Sequence, residues 1–166
     1  MLFRSKLLRD SFLGSIWEGA ENVVALDVAR AASRERAHEA LFRDMGERLH
    51  SLGDAEVVRE AAPLAKRIED TRERLESLLE APAAEREAKM TAMCDRLAAV
   101  VCCTLLFGEA DAQARAGEGY RKLLIATEYR RRKLDQRDPL DASSAGVKWL
   151  NEVVDWGAVP AEAVRE

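Results

Sequence analysis

MTAMCDRLAAVVCCTLLFG, residues 90–108, carries the strongest periodic signal in the chain. Met90, Cys94, Leu97, Val101 and Leu105 recur at intervals of three or four, which places them on one face of an α-helix. Gly108 reads as its stop, since a glycine enters the left-handed conformation that closes a helix without steric cost. This stretch is read as the central core helix. The sulfur-bearing Met90, Met93, Cys94, Cys102 and Cys103 within it read as gap-filling core residues and not as ligands, because no histidine lies nearby.

Outward from that helix the pattern is helical in both directions. Leu41, Met45, Leu49 and Leu52 predict an amphipathic helix over 37–52, with Gly53 as its stop and Asp54 as the cap of the next. Val57, Ala61, Ala65, Ile68, Leu75, Leu78 and Leu79 continue the pattern. Pro63 either kinks that helix or divides it, since proline removes an interior hydrogen bond. Ala81-Pro82 restarts the chain, with proline suited to a first helical position. Downstream, residues 110–134 predict a helix with Tyr120, Leu123, Leu124 and Thr127 inside, and Gly117-Glu118-Gly119 allowing close packing or a bend. Arg130-Arg131-Arg132-Lys133 closes it. Basic residues there complement the helix dipole; a phosphate contact is the alternative. Trp149, Leu150, Val153, Val154 and Trp156 predict a last short helix, and 161–166 a frayed end. Nowhere do β-branched and polar residues alternate over a strand's length. The fold class is all-α.

Composition narrows the function. In 166 residues, 48% hydrophobic and 34% charged is a globular balance, and a net charge of −4 gives no overall attraction for nucleic acid or anionic membrane. The run 97–107 is shorter than the ~20 residues that cross a bilayer. No secretory signal pattern is present. Three cysteines fit neither a disulfide framework nor a metal site and read as buried, reduced thiols of a cytoplasmic protein. His38 and His50 are remote from each other and read as surface or half-buried polar residues. Glu69, Glu73 and the basic residues around them read as solvated ion pairs.

Near the N-terminus, residues 11–30 read SFLGSIWEGAENVVALDVAR, with Glu18 between Trp17 and Gly19 and a helical pattern opening at Ala20. A carboxylate there stabilises the positive end of a helix as a cap. The string also resembles the last part of the acyl-CoA dehydrogenase family, in which an arginine-aspartate pair precedes a signature of the form I-Y-E-G-T-x-x-I-Q. Here Arg9-Asp10 precede Ile16-Trp17-Glu18-Gly19-Ala20-Glu21-Asn22-Val23. Trp17 stands for the usual tyrosine and Ala20 for the usual threonine; the W-E-G form followed by N-V-x-x-L-D-V looks most like the adaptive-response (alkylation-response) branch. The resemblance covers about the first fifth of the chain. It implies Glu18 as catalytic base, Gly19 and Trp17 at the acyl-CoA substrate, and Ala20, Glu21 and Asn22 at the FAD cofactor. No metal is implied.

The resemblance implies three parts. Residues 1–33 form the tail of a dehydrogenase C-terminal helical domain, whose first helix the chain enters partway. Residues 34–157 form an antiparallel helical-bundle extension, and 158–166 a frayed end. The implied activity is that of a flavoprotein oxidoreductase of fatty acid metabolism, inactive alone, because no glycine-rich dinucleotide motif occurs in the chain. An upstream flavin domain or partner subunit, and homo-oligomerisation of the complete enzyme, belong to the same expectation; a membrane does not. The alternatives are a stand-alone helical interaction module and, less favoured by the acidic composition, a nucleic-acid-associated adaptive-response module.

Overall fold

A computed structural model describes residues 21–135 and 148–164; every regular element in those residues is helical. The helices are α1 (Glu21–Glu35), α2 (Ala37–His50), α3 (Ala55–Glu80), α4 (Ala83–Arg115), α5 (Arg121–Lys133) and α6 (Leu150–Val154), followed by a 3-10 turn at Ala161–Val164. At 1.5 Å per residue α4 is about 50 Å long. It packs on α1, α2, α3 and α5 and is the centre of the bundle.

Cross-contacts give the directions. Thr71 of α3 meets Arg96 of α4, whereas Ala81 and Glu85 share the groove near the α3–α4 turn, so these helices run antiparallel. Lys122 at the start of α5 pairs with Glu109 late in α4, so α5 folds back in turn. Arg67 of α3 reaches Asp135 just beyond α5.

The seams differ from the predicted stripes in an instructive way. Ala99, Cys103, Ala110 and Gln113 are buried on α4 beside a central seam of Met90, Met93, Leu97, Val100, Thr104, Phe107 and Asp111. The seam positions alternate three and four residues apart, a 3.5-residue period that holds one face toward a partner along a long helix. The predicted stripe averages nearly four, so it drifts off that face: Cys94 and Val101 are half-buried, and Leu105 is 47% exposed. Gly108 does not end α4, which runs on to Arg115. The seam of α3 keeps the same period through Val57, Ala61, Leu64, Ile68, Thr71, Leu75 and Leu78, while Ala65 faces out. Pro63 is exposed and α3 stays continuous, because the Arg59 carbonyl it leaves without a backbone donor is on the solvent side.

Three boundaries are set by backbone conformation. Between α1 and α2, Arg36 is left-handed (φ 53°) and its guanidinium pairs with Glu39. That conformation leaves the right-handed helical path, at a cost of about 1–2 kcal/mol for a residue with a β-carbon, and α1 and α2 are separate helices. Gly117 (φ 74°) and Gly119 (φ 81°) end α4 and turn the chain into α5, so the predicted single helix over 110–134 is two elements. Asp54 caps α3 as expected, accepting from the N–H groups of Glu56 and Val57.

Residues 161–164, expected to fray, form the 3-10 turn with Ala163 and Val164 buried against α5. The preceding strap is fixed where the Tyr120 N–H donates to the Val159 carbonyl at 2.9 Å. Trp156, 71% exposed, lies 4.2 Å over the Arg121 guanidinium. By length and composition α4 is long and apolar enough to cross a membrane, where the apolar run 97–107 alone falls short. In the bundle, Met90, Val100, Cys103 and Phe107 of α4 are in the core.

Candidate functional site

Trp17, Glu18, Gly19 and Ala20 lie outside the described residues. Glu21 and Asn22, the first described residues, lie in α1.

From there α1 is held by small residues. Ala25, Ala29 and Ala32 are buried at intervals of four and three, which lets α1 lie close along α4. The larger Val23, Val24 and Leu26 point outward and are 60%, 44% and 49% exposed. Leu26 and Met90 border two shallow clefts between α1 and α4, of about 320 and 430 Å³. Their rim is charged: Arg30 pairs with Asp27 at 2.9 Å and with Glu35 at 3.3 Å, while Arg34, Arg86 and Glu87 complete the wall of the first cleft.

A second polar cluster closes the far end of the bundle. Asp111, 5% exposed on α4, accepts the N–H groups of Gly53 (2.9 Å) and Asp54 (2.8 Å). Burial by itself raises the Asp111 pKa. The two backbone hydrogen bonds and Arg115 outweigh it and hold the carboxyl below its ordinary value. The Tyr120 hydroxyl donates to Asp54 at 3.2 Å, and the Lys122 N–H to Gln113 at 2.9 Å. Asp111 and Asp54 are thus held by donors, which makes this a structural clip. Sequence reading found Asp54 from its place after Gly53 but missed Asp111, which sits on the α4 seam where an apolar residue is expected.

The third cluster joins α3, α4 and α5. Asp135 receives Arg67 at 3.0 Å and also pairs with the buried Arg130, while Arg131 and Arg132 reach Glu128 at 3.3 and 3.6 Å. Three of the four basic residues that close α5 are therefore paired within the chain, on the two carboxylates of Asp135 and Glu128. Beside them Arg96 donates through Nε to the Thr71 hydroxyl at 3.0 Å.

Cys103 is buried, and burial pushes its thiol up to about 12, far from a nucleophilic thiolate. Cys94 is half-buried and Cys102 exposed, so the expectation of three buried thiols holds only for Cys103. His50 is exposed with Nδ1 2.8 Å from the Gly46 carbonyl, and His38 is half-buried. Among the described residues no three histidine, cysteine or acidic side chains converge as a metal site would require. Comparison with known proteins finds no matching family model, no similar curated protein and no similar solved structure.

Proposed function

We propose that the chain supplies the C-terminal catalytic segment, with an appended helical bundle, of an FAD-dependent acyl-CoA dehydrogenase. The observation that carries this reading is the order Trp17-Glu18-Gly19-Ala20 in the sequence, running directly into Glu21 and Asn22, which lie in α1. A carboxylate, a glycine and then residues of a helix follow one another there in the order that the resemblance requires. The part of a flavin site that the described residues contain is small: Glu21 and Asn22 of α1.

The roles follow from the chemistry of α,β-dehydrogenation. Glu18 removes a proton from the carbon next to the thioester carbonyl. A carboxylate does so effectively only when its basicity is raised, and burial between Trp17 and an apolar acyl chain provides that. Gly19 lets the backbone approach the thioester closely, because no β-carbon stands between them. Ala20, Glu21 and Asn22 form the edge nearest the cofactor. FAD, when bound, supplies the acceptor for the β-hydrogen as hydride. Orientation of base, substrate and acceptor provides much of the rate, and this chain offers one wall of the site. Acyl-CoA and an upstream flavin domain or partner subunit are the partners this reading requires, in an oligomeric enzyme.

The test compares two proteins. The 166-residue chain alone should neither retain FAD nor bleach added FAD with any acyl-CoA. Joined to the flavin-binding domains of an acyl-CoA dehydrogenase in place of that enzyme's last helices, it should hold FAD and be bleached by acyl-CoA. A joined protein that holds FAD and is reduced by no acyl-CoA would contradict the proposal.

A second reading, a helical interaction module, is favoured by the outward Val23, Val24 and Leu26 on α1. It predicts a stable chain in which Val23→Asp and Leu26→Asp abolish binding to a partner without changing the denaturation midpoint.

A further inference from the structure

A groove of about 560 Å³ lies between the second half of α3 and the first half of α4, and two of its lining residues are Arg74 and Arg96. Among the described residues neither guanidinium has a carboxylate within ion-pair distance, in contrast with Arg30, Arg67, Arg72, Arg130 and Arg131. Of the other charged residues lining the groove, Glu85 and Lys89 satisfy each other at 2.6 Å. Glu73 stands exposed at the rim, so Arg74 and Arg96 leave one positive charge in excess.

Arg96 is also held in place. The Thr71 side chain is fully buried; its hydroxyl donates to the Arg67 carbonyl at 2.6 Å and accepts the Arg96 Nε–H at 3.0 Å. A fixed Nε leaves the two terminal amino groups of the fork as the free donors, the geometry that suits an oxyanion. Arg74 and Ser77 follow Thr71 at intervals of three along α3, so their side chains border the same groove. Burial, and then the neighbouring charge of Arg74, lowers the Arg96 pKa, with Asp70 acting the other way. An anion between the two arginines would relieve that repulsion. Beyond the charged rim the wall is apolar, formed by Leu78, Ala81, Ala92 and Met93.

We infer that the α3–α4 groove binds a small organic phosphate, its phosphoryl group held by Arg96 and Arg74 and its apolar body resting on Leu78 and Met93. The basic run that closes α5 is not this site, because its arginines are paired internally. Thr71 is a positioning residue that acts through Arg96.

Phenyl phosphate is the probe, titrated into the ¹⁵N-labelled full chain and followed by NMR. Saturable shifts should appear at the Arg74 and Arg96 side chains, with affinity several-fold above that for inorganic phosphate. Arg74→Gln and Arg96→Gln should each weaken binding about tenfold, the loss expected for a charged hydrogen-bonding partner. Thr71→Val should weaken it a few-fold while Thr71→Ser restores it; Arg43→Gln, which removes an equal charge on α2, should change nothing. Because Arg74 is exposed, its variant tests the site even if Arg96→Gln unfolds the protein. Absence of saturation would overturn the inference. So would equal weakening by Arg43→Gln, equal affinity for inorganic phosphate, or sedimentation with phosphatidic acid vesicles without a phenyl phosphate response, which would assign the arginines to a lipid surface.

Discussion

Asp111 holds the loop between α2 and α3 onto α4 with one carboxylate that accepts two backbone N–H groups. Its pKa is held below the unfolded value, so near and below about pH 4 the unfolded chain binds more protons than the folded one. Its contribution is therefore complete above the unfolded pKa and is lost as pH falls through the folded pKa. Asp111→Ala should cost about 1–3 kcal/mol at pH 7, because it strips a charged acceptor from two donors. The cost should shrink as the pH is lowered toward 3. Urea midpoints of both proteins across that range check this, and a pH-independent difference would mean that the charge contributes nothing. Legibility at this scale followed exposure to local pattern. The Asp54 cap was readable from its neighbours Gly53 and Val57, whereas the value of Asp111 depends on groups 57 and 58 residues away in sequence.

The long helices pack with a 3.5-residue period, and that period decides which residues matter. Leu97 lies on the α4 seam at 8% exposure; Leu105, placed on the same stripe by simple helical counting, lies off it. Leu97→Ala should therefore cost about 2–5 kcal/mol, as large-to-small core changes do. Leu105→Ala should cost within about 0.5 kcal/mol, as surface changes do. Thermal or urea denaturation of the two variants separates them, and equal losses would mean that the seam is misplaced. The existence and order of α2 to α5 were legible because their apolar residues recur over many turns. Their ends were less so. Arg36 breaks a helix in a left-handed conformation that no turn residue announces, and Gly117 and Gly119 make a full turn where the sequence admitted a mere bend. The 3-10 turn of Ala161–Val164 was missed for another reason: four residues carry no period, and their burial comes entirely from α5 and the strap before it.

At the scale of the whole molecule, an all-α bundle around one central helix follows from the absence of strand patterns and from the length of the α4 stripe. The candidate catalytic segment is a different kind of inference. Trp17 to Ala20 precede the described residues, and their proposed role rests on the order of residues in the sequence. The bundle buries α1 through Ala25, Ala29 and Ala32 and so anchors the helix on which that segment is carried. The account's central claim is that Glu18 is the base that removes the substrate's α-proton. The direct measurement is exchange of that proton with deuterated water, using an acyl-CoA and the chain joined to flavin-binding domains, with Glu18 intact and as Glu18→Gln. The account predicts that the substitution abolishes exchange while the absorbance of bound FAD is unchanged. Undiminished exchange in Glu18→Gln would contradict it and move the base elsewhere.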